Sequence, residues 1–250
     1  MRLRIVLGGT GEIFLPWEYP HLLHGLLYRA VIGENPEFGV FLHERGFGED
    51  HHRYRLFVFS RIFPKKARRC EKGLWCTPPL VFWVASPLAF FLEALASALL
   101  RSRRISLGNT VLFVKSIEIE PPPDFSGKVL CETLSPLVAS TGVRRGEKLH
   151  KVFLAPEDPR FFAVVQENLY RKARALGLSL APDAQVFFEP VGTWRSKLVS
   201  VQGTNIRGYE GRFFAQGDAT LLALAYDAGL GERNAQGFGM FRVVTPPQDE

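Results

Sequence analysis

The chain has 250 residues, of which 46% are hydrophobic and 22% are charged; this composition excludes a disordered protein and suffices for one large or two small globular cores. Its 31 lysines and arginines exceed its 25 aspartates and glutamates, and the formal charge of +6 favours a polyanionic partner. Three cysteines, at 70, 76 and 131, fit neither a disulfide framework nor a zinc knuckle, and they favour a reducing cytoplasm.

The first half of the chain predicts elements in the order β-α-β-β-α-β. Alternating or β-branched runs predict strands, and apolar residues at helical spacing predict helices. The expected elements are a strand over 2–7, helices over 20–32 and 35–46, strands over 54–63 and 80–86 flanking a basic loop, a helix over 87–101, and a strand over 110–120.

Residues 79–100 are long and apolar enough to require comparison with a membrane-spanning helix. "LVFWVAS" is β-branched and aromatic, Ser86-Pro87 is a helix-start signal, and Glu93 lies inside the following Ala/Leu-rich run. A strand followed by an amphipathic helix is the more economical interpretation. We therefore expect no membrane partner, and the charged N-terminal "MRLRIVL" argues against secretion.

The prolines of "PPPDFSG" (121–127) interrupt any regular element, so we predict a linker there and domains over 1–122 and 123–250. The second half repeats the order of the first. The expected elements are a strand over 128–140, a helix over 158–177, strands over 184–203 and 206–217, a helix over 218–229 and a strand over 238–244.

Two successive βαββαβ units predict an α+β protein made of two tandem ferredoxin-like domains with a C-terminal glycine-rich loop. One larger α+β domain is the alternative. The fold itself names no activity.

The glycine-rich loop "GLGERNAQGFGMF" (229–241) follows a helix and precedes a strand. A nucleotide-binding glycine loop runs from strand to helix, where phosphate meets the positive end of the helix dipole, so no nucleotide cofactor is expected. Two interpretations remain open. Backbone amides of the loop, with Arg233, Asn234 and Gln236, can line a groove for a phosphodiester, or the glycines serve a helix C-cap and a bulged strand start.

Three segments together carry a family resemblance. They are "GLGERNAQGFGMFRV", "LSPLVASTGVRRGEK" (134–148) and "HGLLYRAVIGENPEFGVFLHERGF" (24–47). They resemble the CRISPR-associated endoribonucleases that cut precursor CRISPR RNA at its repeats, within the repeat-associated mysterious protein superfamily. The resemblance implies tandem ferredoxin-like domains, in agreement with the pattern above. It also implies repeat RNA as partner, with other CRISPR-associated proteins or a second copy of this chain as further partners.

Metal-independent RNA cleavage needs a base for the 2′-hydroxyl, an acid for the 5′-oxygen and positive charge for the phosphorane. Five of the six histidines lie in the first 52 residues. The wheel of the first helix places Tyr28 opposite the leucines, and His43 points away from the apolar face of the next helix. The resemblance implies that Tyr28 assists the 2′-hydroxyl and that His43 transfers a proton. A tyrosine pKa near ~10 makes positioning its larger contribution.

The third catalytic group is not fixed by the sequence. Some members of the family carry a lysine a few residues beyond the histidine, whereas this chain reads "GFGEDHHRYR" there. His51, His52 or Arg53 can supply the charge. His21 and His24 are expected to be solvated on the helix surface. No metal ligands and no cofactor are expected.

RNA-binding residues are expected in two places beyond Arg53. Basic side chains also group at 65–72, 101–104 and 171–174, where a phosphate backbone can follow them. The residues that the resemblance assigns to RNA binding are Arg144, Arg145, Lys148, Gly229, Gly231, Arg233, Asn234, Gln236, Gly237 and Gly239. Two other functions stay open, a non-catalytic CRISPR RNA-binding subunit of an interference complex and a scaffold for an acidic protein.

Overall fold

The two halves of the chain form separate antiparallel sheets in the computed structural model, which describes residues 1–48, 53–146 and 148–244. The elements of the first half are β1 (Arg2–Gly8), β2 (Ile13–Pro16), α1 (Tyr19–Glu34), α2 (Pro36–Glu44), β3 (Val58–Phe59), β4 (Phe63–Cys70), β5 (Gly73–Ala85), α3 (Ala89–Ser102), β6 (Arg104–Leu107) and β7 (Thr110–Glu120).

Strand β1 lies at the centre of the first sheet, whose order is β2-β5-β1-β7-β6, with β3 and β4 also paired to β5. Ile5 faces Phe82 of β5 on one side and Ile117 of β7 on the other. Alternate residues Leu3, Ile5 and Leu7 are buried, as the period of two along the strand requires. A first strand between the third and fourth strands of a βαββαβ unit is the ferredoxin-like arrangement.

Helices α1 and α2 meet at an asparagine that caps the second of them. Asn35 accepts a hydrogen bond from the Phe38 backbone N–H at 3.1 Å, and Pro36 begins α2 where a missing N–H costs nothing. Leu23, Leu27 and Val31 bury the apolar face of α1, so the polar face stays available to line a cleft.

The predictions over 54–72 are wrong in part. Of the expected strand over 54–63, only β3 and Phe63 at the start of β4 lie in strands, while the expected basic loop is β4, paired with β5 along most of its length. Lysine and arginine are poor strand formers, but the ladder with β5 satisfies the backbone of β4 regardless of its side chains. Strand β5 accordingly begins at Gly73 rather than at residue 80.

The second half repeats the ferredoxin-like order in the sheet β11-β12-β8-β13, with the helices on one face. Its elements are β8 (Val129–Thr133), β9 (Ser140–Arg145), β10 (Lys148–Phe153), α4 (Arg160–Ala175), β11 (Val186–Val201), β12 (Thr204–Gly217), α5 (Ala219–Ala228), a 3-10 turn (Asn234–Gln236) and β13 (Phe241–Val244). The predicted class, α+β with two ferredoxin-like domains, is confirmed.

One strand of the second half differs from the sequence prediction. The strand expected over 128–140 ends at Thr133, and a separate hairpin of β9 and β10 follows it. The strand expected over 184–203 is β11, whose pairing with β12 has an irregularity between Val191 and Arg195. The boundary at residue 122 stays a prediction.

Arg2 joins the two halves. It is buried, and its guanidinium donates to the carbonyls of Phe241 and Tyr226, both at 2.9 Å, while stacking 3.5 Å from the centre of the Tyr226 ring. The N-terminal ammonium also pairs with Asp227. These contacts fix the first strand of one domain against the last helix and strand of the other.

Among the described residues, none of the helices combines the length and the apolar character that a membrane crossing requires.

Candidate active site

A cleft of about 1240 Å³ separates the helices of the first domain from the second domain. One wall comes from α1, α2 and the segment 53–57, and the other from the β9–β10 hairpin, α4 and the glycine-rich loop. Many of the side chains that line the cleft can donate or accept protons or hydrogen bonds. They include His21, His24, Tyr28, His43, Arg53, Arg55, Lys151, Lys172, Glu232, Arg233, Asn234 and Gln236.

Four rings stand in a row on the first wall. The centroids of His21 and His24 are 6.0 Å apart, those of His24 and Tyr28 4.8 Å, and those of Tyr28 and His43 5.1 Å. Residues three and four apart share a helix face, so α1 presents its three rings together, and α2 brings His43 against them. The structure thus places the predicted pair Tyr28 and His43 in contact.

Tyr28 lies in this row with only 6% of its surface exposed. Burial raises the pKa of its hydroxyl to about 12, although the nearby Arg55 guanidinium opposes that shift. The hydroxyl therefore keeps its proton at neutral pH and serves as a hydrogen-bond donor. Its packing on Phe57 fixes the ring, with centroids 5.5 Å apart.

His24 is not the solvated side chain that the sequence predicts. It is half-buried between His21 and Tyr28. Burial lowers the pKa of its imidazole to about 4, and the charges of His21, His43 and Arg55 lower it further. His24 is therefore neutral at physiological pH. The helix spacing 21-24-28 is visible in the sequence, but nothing there shows that His43 and Arg55 lie near this face.

Two arginines bring positive charge to the first wall. Arg55 donates to the His43 backbone carbonyl at 2.8 Å, and Arg53 donates to the Gly48 carbonyl at 2.6 Å. Both line the cleft. The sequence predicts Arg53 at this site and gives no signal for Arg55. The candidates His51 and His52 lie outside the described residues.

The glycine-rich loop packs tightly between the domains. A Cβ at Gly229 would come within 2.6 Å of the Asn234 amide nitrogen and 2.8 Å of Val58, so close packing requires glycine at this position. The backbone N–H groups of six loop residues already donate to protein carbonyls: Gly229, Leu230, Glu232, Gln236, Gly237 and Gly239.

Asn234 is buried and holds the loop from within. Its amide donates to the carbonyls of Leu230 and Phe238, at 2.9 and 3.0 Å. Arg233 and Gln236 line the cleft and bond to each other at 3.0 Å. The Asn234 side chain thus stabilises the loop through hydrogen bonds within it. Arg233 and Gln236 are the loop side chains that face the cleft.

Lys172 anchors the same loop to α4. Its ammonium donates to the Gly229 carbonyl at 2.7 Å, the Gly231 carbonyl at 3.0 Å and the Asn234 side-chain oxygen at 2.6 Å. It is buried, so its expected place in a basic patch for the phosphate backbone is wrong. A basic run on a helix does not reveal which of its members turns inward.

The β9–β10 hairpin carries the other predicted RNA contacts. Arg144 is exposed near its turn, and Arg145 faces Lys148 in the backbone register. The side chains of Arg145 and Lys148 fall outside the part of the chain that the structure describes. Nearer the cleft, Glu232 accepts from Lys151 at 2.7 Å and from Ser140 at 2.5 Å, which ties the hairpin to the glycine-rich loop.

The fold and the cleft define a tandem ferredoxin-like protein with a histidine-bearing, basic interdomain site. Family models match nearly the whole length, "CRISPR-associated protein Cas6, N-terminal" over residues 14–118 and "CRISPR associated protein Cas6, C-terminal" over residues 119–243. The chain belongs to the Cas6 family of CRISPR-associated proteins, and the resemblance noted in the sequence is confirmed.

Individual relatives cover most of the chain. The CRISPR-associated endoribonuclease Cas6 1 of Methanocaldococcus jannaschii is 26% identical over 96% of this chain and 91% of its own length. The CRISPR-associated endoribonuclease Cas6 of Pyrococcus furiosus is 27% identical, over 92% and 83%. A solved structure from the characterization of a Cas6-related gene of P. furiosus gives a TM-score of 0.86 at 21% identity over 99% of both chains, which supports the fold.

Proposed function

We propose that this protein is an endoribonuclease that binds CRISPR repeat RNA in the cleft and cuts it, without a metal ion, to release mature CRISPR RNA. The observation that carries the proposal is the contact of Tyr28 with His43 on the wall of a cleft shared by both Cas6-family domains. Two relatives named as endoribonucleases, each aligned over more than nine-tenths of this chain, support the activity.

Cleavage proceeds by attack of a ribose 2′-oxygen on the adjacent phosphorus. The 2′-hydroxyl loses its proton as the new P–O bond forms, and the bond from phosphorus to the 5′-oxygen breaks as that oxygen receives a proton. The products are a 2′,3′-cyclic phosphate and a 5′-hydroxyl. His43 is exposed at the cleft and transfers a proton, because imidazole changes its protonation near neutral pH.

Tyr28 and the two arginines act on the phosphate group. The Tyr28 hydroxyl keeps its proton and orients the ribose or a phosphate oxygen by donating a hydrogen bond. Arg55 and Arg53, whose positions are set by backbone carbonyls, offset the negative charge of the phosphorane. His51 and His52 stay candidates for the same task.

The proposal predicts cleavage of an all-ribose repeat RNA in excess EDTA and complete resistance of the same RNA with one 2′-deoxynucleotide at the cut site. Removal of the nucleophile leaves no chemical step, whereas binding survives. Gel analysis of end-labelled RNA measures both, with a deoxynucleotide one position upstream as control. Cutting of the deoxy-substituted site would overturn the mechanism, and intact all-ribose RNA would favour a non-catalytic CRISPR RNA-binding subunit.

The proposal also assigns RNA contact to the β9–β10 hairpin. We expect Arg144→Glu to weaken repeat RNA binding and to reduce the slope of log affinity against log salt by about one, since a phosphate contact is lost. Fluorescence anisotropy over a salt series measures this. Arg29→Glu, an equal charge change on the exposed side of α1, is the matched control. An Arg144→Glu slope equal to that of the control would remove the hairpin from the RNA path.

The proposed function also implies the partners of the protein and its place in the cell. Repeat RNA is the partner that the basic cleft fits, and the protein works in the cytoplasm beside other CRISPR-associated proteins, alone or as a homodimer.

A further inference from the structure

The proposed cleavage needs two proton-transferring groups rather than one. In an in-line displacement the 2′-oxygen and the departing 5′-oxygen lie on opposite sides of phosphorus, so a base is needed at one side and an acid at the other. His43 can occupy one of these positions. Tyr28 keeps its proton at neutral pH and does not accept another, which leaves the base unassigned.

His24 has the place and the surroundings of that base. It lies one helical turn before Tyr28 on α1, lines the cleft, and contacts the Tyr28 ring, with centroids 4.8 Å apart. Tyr28 thus contacts both His24 and His43.

The groups around His24 keep its imidazole unprotonated. The titratable or charged residues near it are His21 and Tyr28 on its own helix, His43 on α2, and Arg55 on the segment 53–57. None of them is a carboxylate that would favour an imidazolium. A neutral imidazole with a free nitrogen lone pair is the form that a general base requires.

We propose that His24 is a second catalytic histidine, which accepts the 2′-hydroxyl proton while a protonated His43 donates to the 5′-oxygen. The O–H bond at the 2′-position breaks, its proton moves to an imidazole nitrogen of His24, and the 2′-oxygen bonds to phosphorus. The P–O5′ bond breaks, and the His43 proton completes the 5′-hydroxyl. Tyr28 holds the ribose between them. This inference rests on the proposed function.

The test is the single-turnover cleavage rate at saturating enzyme, in EDTA, for His24→Gln beside Arg29→Gln. The amide of glutamine keeps the size of the histidine side chain and cannot act as a base. We expect about a 10²-fold or greater loss of rate for His24→Gln with unchanged RNA affinity, as for removal of a general base. Arg29 is exposed on the same helix and outside the cleft lining, so Arg29→Gln cleaves like the wild type.

Three further measurements distinguish a wrong inference from a variant that does not fold and from a wrong proposed function. His24→Asn tests the same loss with a smaller side chain, and thermal unfolding shows whether either variant folds. The wild-type rate falls toward pH 4, where His24 becomes protonated, and this acid limb disappears in His24→Gln. A folded variant that cleaves at the wild-type rate overturns the inference. A wild type that cuts neither RNA, or cuts the deoxy-substituted one, overturns the proposed function instead.

Discussion

Replacing His43 by alanine lowers the rate of repeat RNA cleavage by about 10²–10⁴-fold, the usual loss for a proton-transferring side chain. The imidazole is exposed at the end of α2, where its main role in the structure is contact with the Tyr28 ring. The backbone carbonyl of His43 holds Arg55, and alanine keeps that carbonyl. RNA affinity and folding should therefore be preserved, which separates chemistry from binding.

Single-turnover rates over a range of pH measure this effect, with direct binding assays on the deoxy-substituted RNA. Glu44→Ala, the exposed neighbour on α2, is the matched control. If His43→Ala cuts at the rate of the control, the proton donor lies elsewhere, and His51 and His52 become the residues to replace next.

Replacing Lys172 by methionine lowers the free energy of unfolding by about 3–5 kcal/mol, because buried acceptors lose their donor. The ammonium has three N–H groups, and the structure supplies three acceptors, the carbonyls of Gly229 and Gly231 and the side chain of Asn234. Methionine fills similar space and leaves all three without a partner. The glycine-rich loop loses its attachment to α4, so RNA affinity should fall as well.

Urea denaturation followed by circular dichroism measures the loss of stability. Arg171→Met, one residue along α4, removes an exposed charge whose ion pair with Glu167 is worth about 0.5 kcal/mol. A Lys172→Met protein as stable as the Arg171→Met protein would show that the loop holds its shape without the lysine.

The same lysine gives stability a dependence on pH. Burial lowers the pKa of Lys172 from 10.5 to about 7, and the Glu232 carboxylate opposes the shift. Above pH 7 Lys172 is protonated in the unfolded chain and neutral in the folded protein. The free energy of unfolding of the wild type therefore increases relative to that of Lys172→Met as the pH rises, by up to about 1.4 kcal/mol per pH unit. The difference stops growing near pH 10.5, the ordinary lysine pKa, because the unfolded chain then loses the same proton. Burial also raises the thiol pKa values of Cys76 and Cys131, but both proteins carry these cysteines, so their effect cancels in the difference.

The fold was largely accessible from the sequence because its strands and helices carry strong periodic signals. Leu3, Ile5 and Leu7 alternate as a half-buried strand must, and Leu23 and Leu27 mark the inner face of α1. β4 escaped prediction because a run of lysines and arginines carries a weak strand signal, although the strand pairs with the adjacent β5 across the turn at 71–72.

The residues of the site could be predicted only where the pattern of a single helix shows which way a side chain faces. Tyr28 and His43 could be placed on their helices, since both turn away from the local apolar stripe. His24 and Lys172 could not be understood in the same way. His24 loses its solvent to neighbouring elements at the cleft, and Lys172 turns toward a loop 57 residues further along the chain. Burial caused by a distant segment has no local signature.

The arginine that joins the domains has a consequence for how the protein folds. Arg2 lies in the first strand, yet its acceptors are the carbonyls of Tyr226 and Phe241 in the second domain. Both hydrogen bonds cross the domain interface, so unfolding of either domain removes a contact from the other. Contacts of such sequence separation also form slowly. We therefore expect the cleft between the domains to be completed late when the unfolded chain refolds.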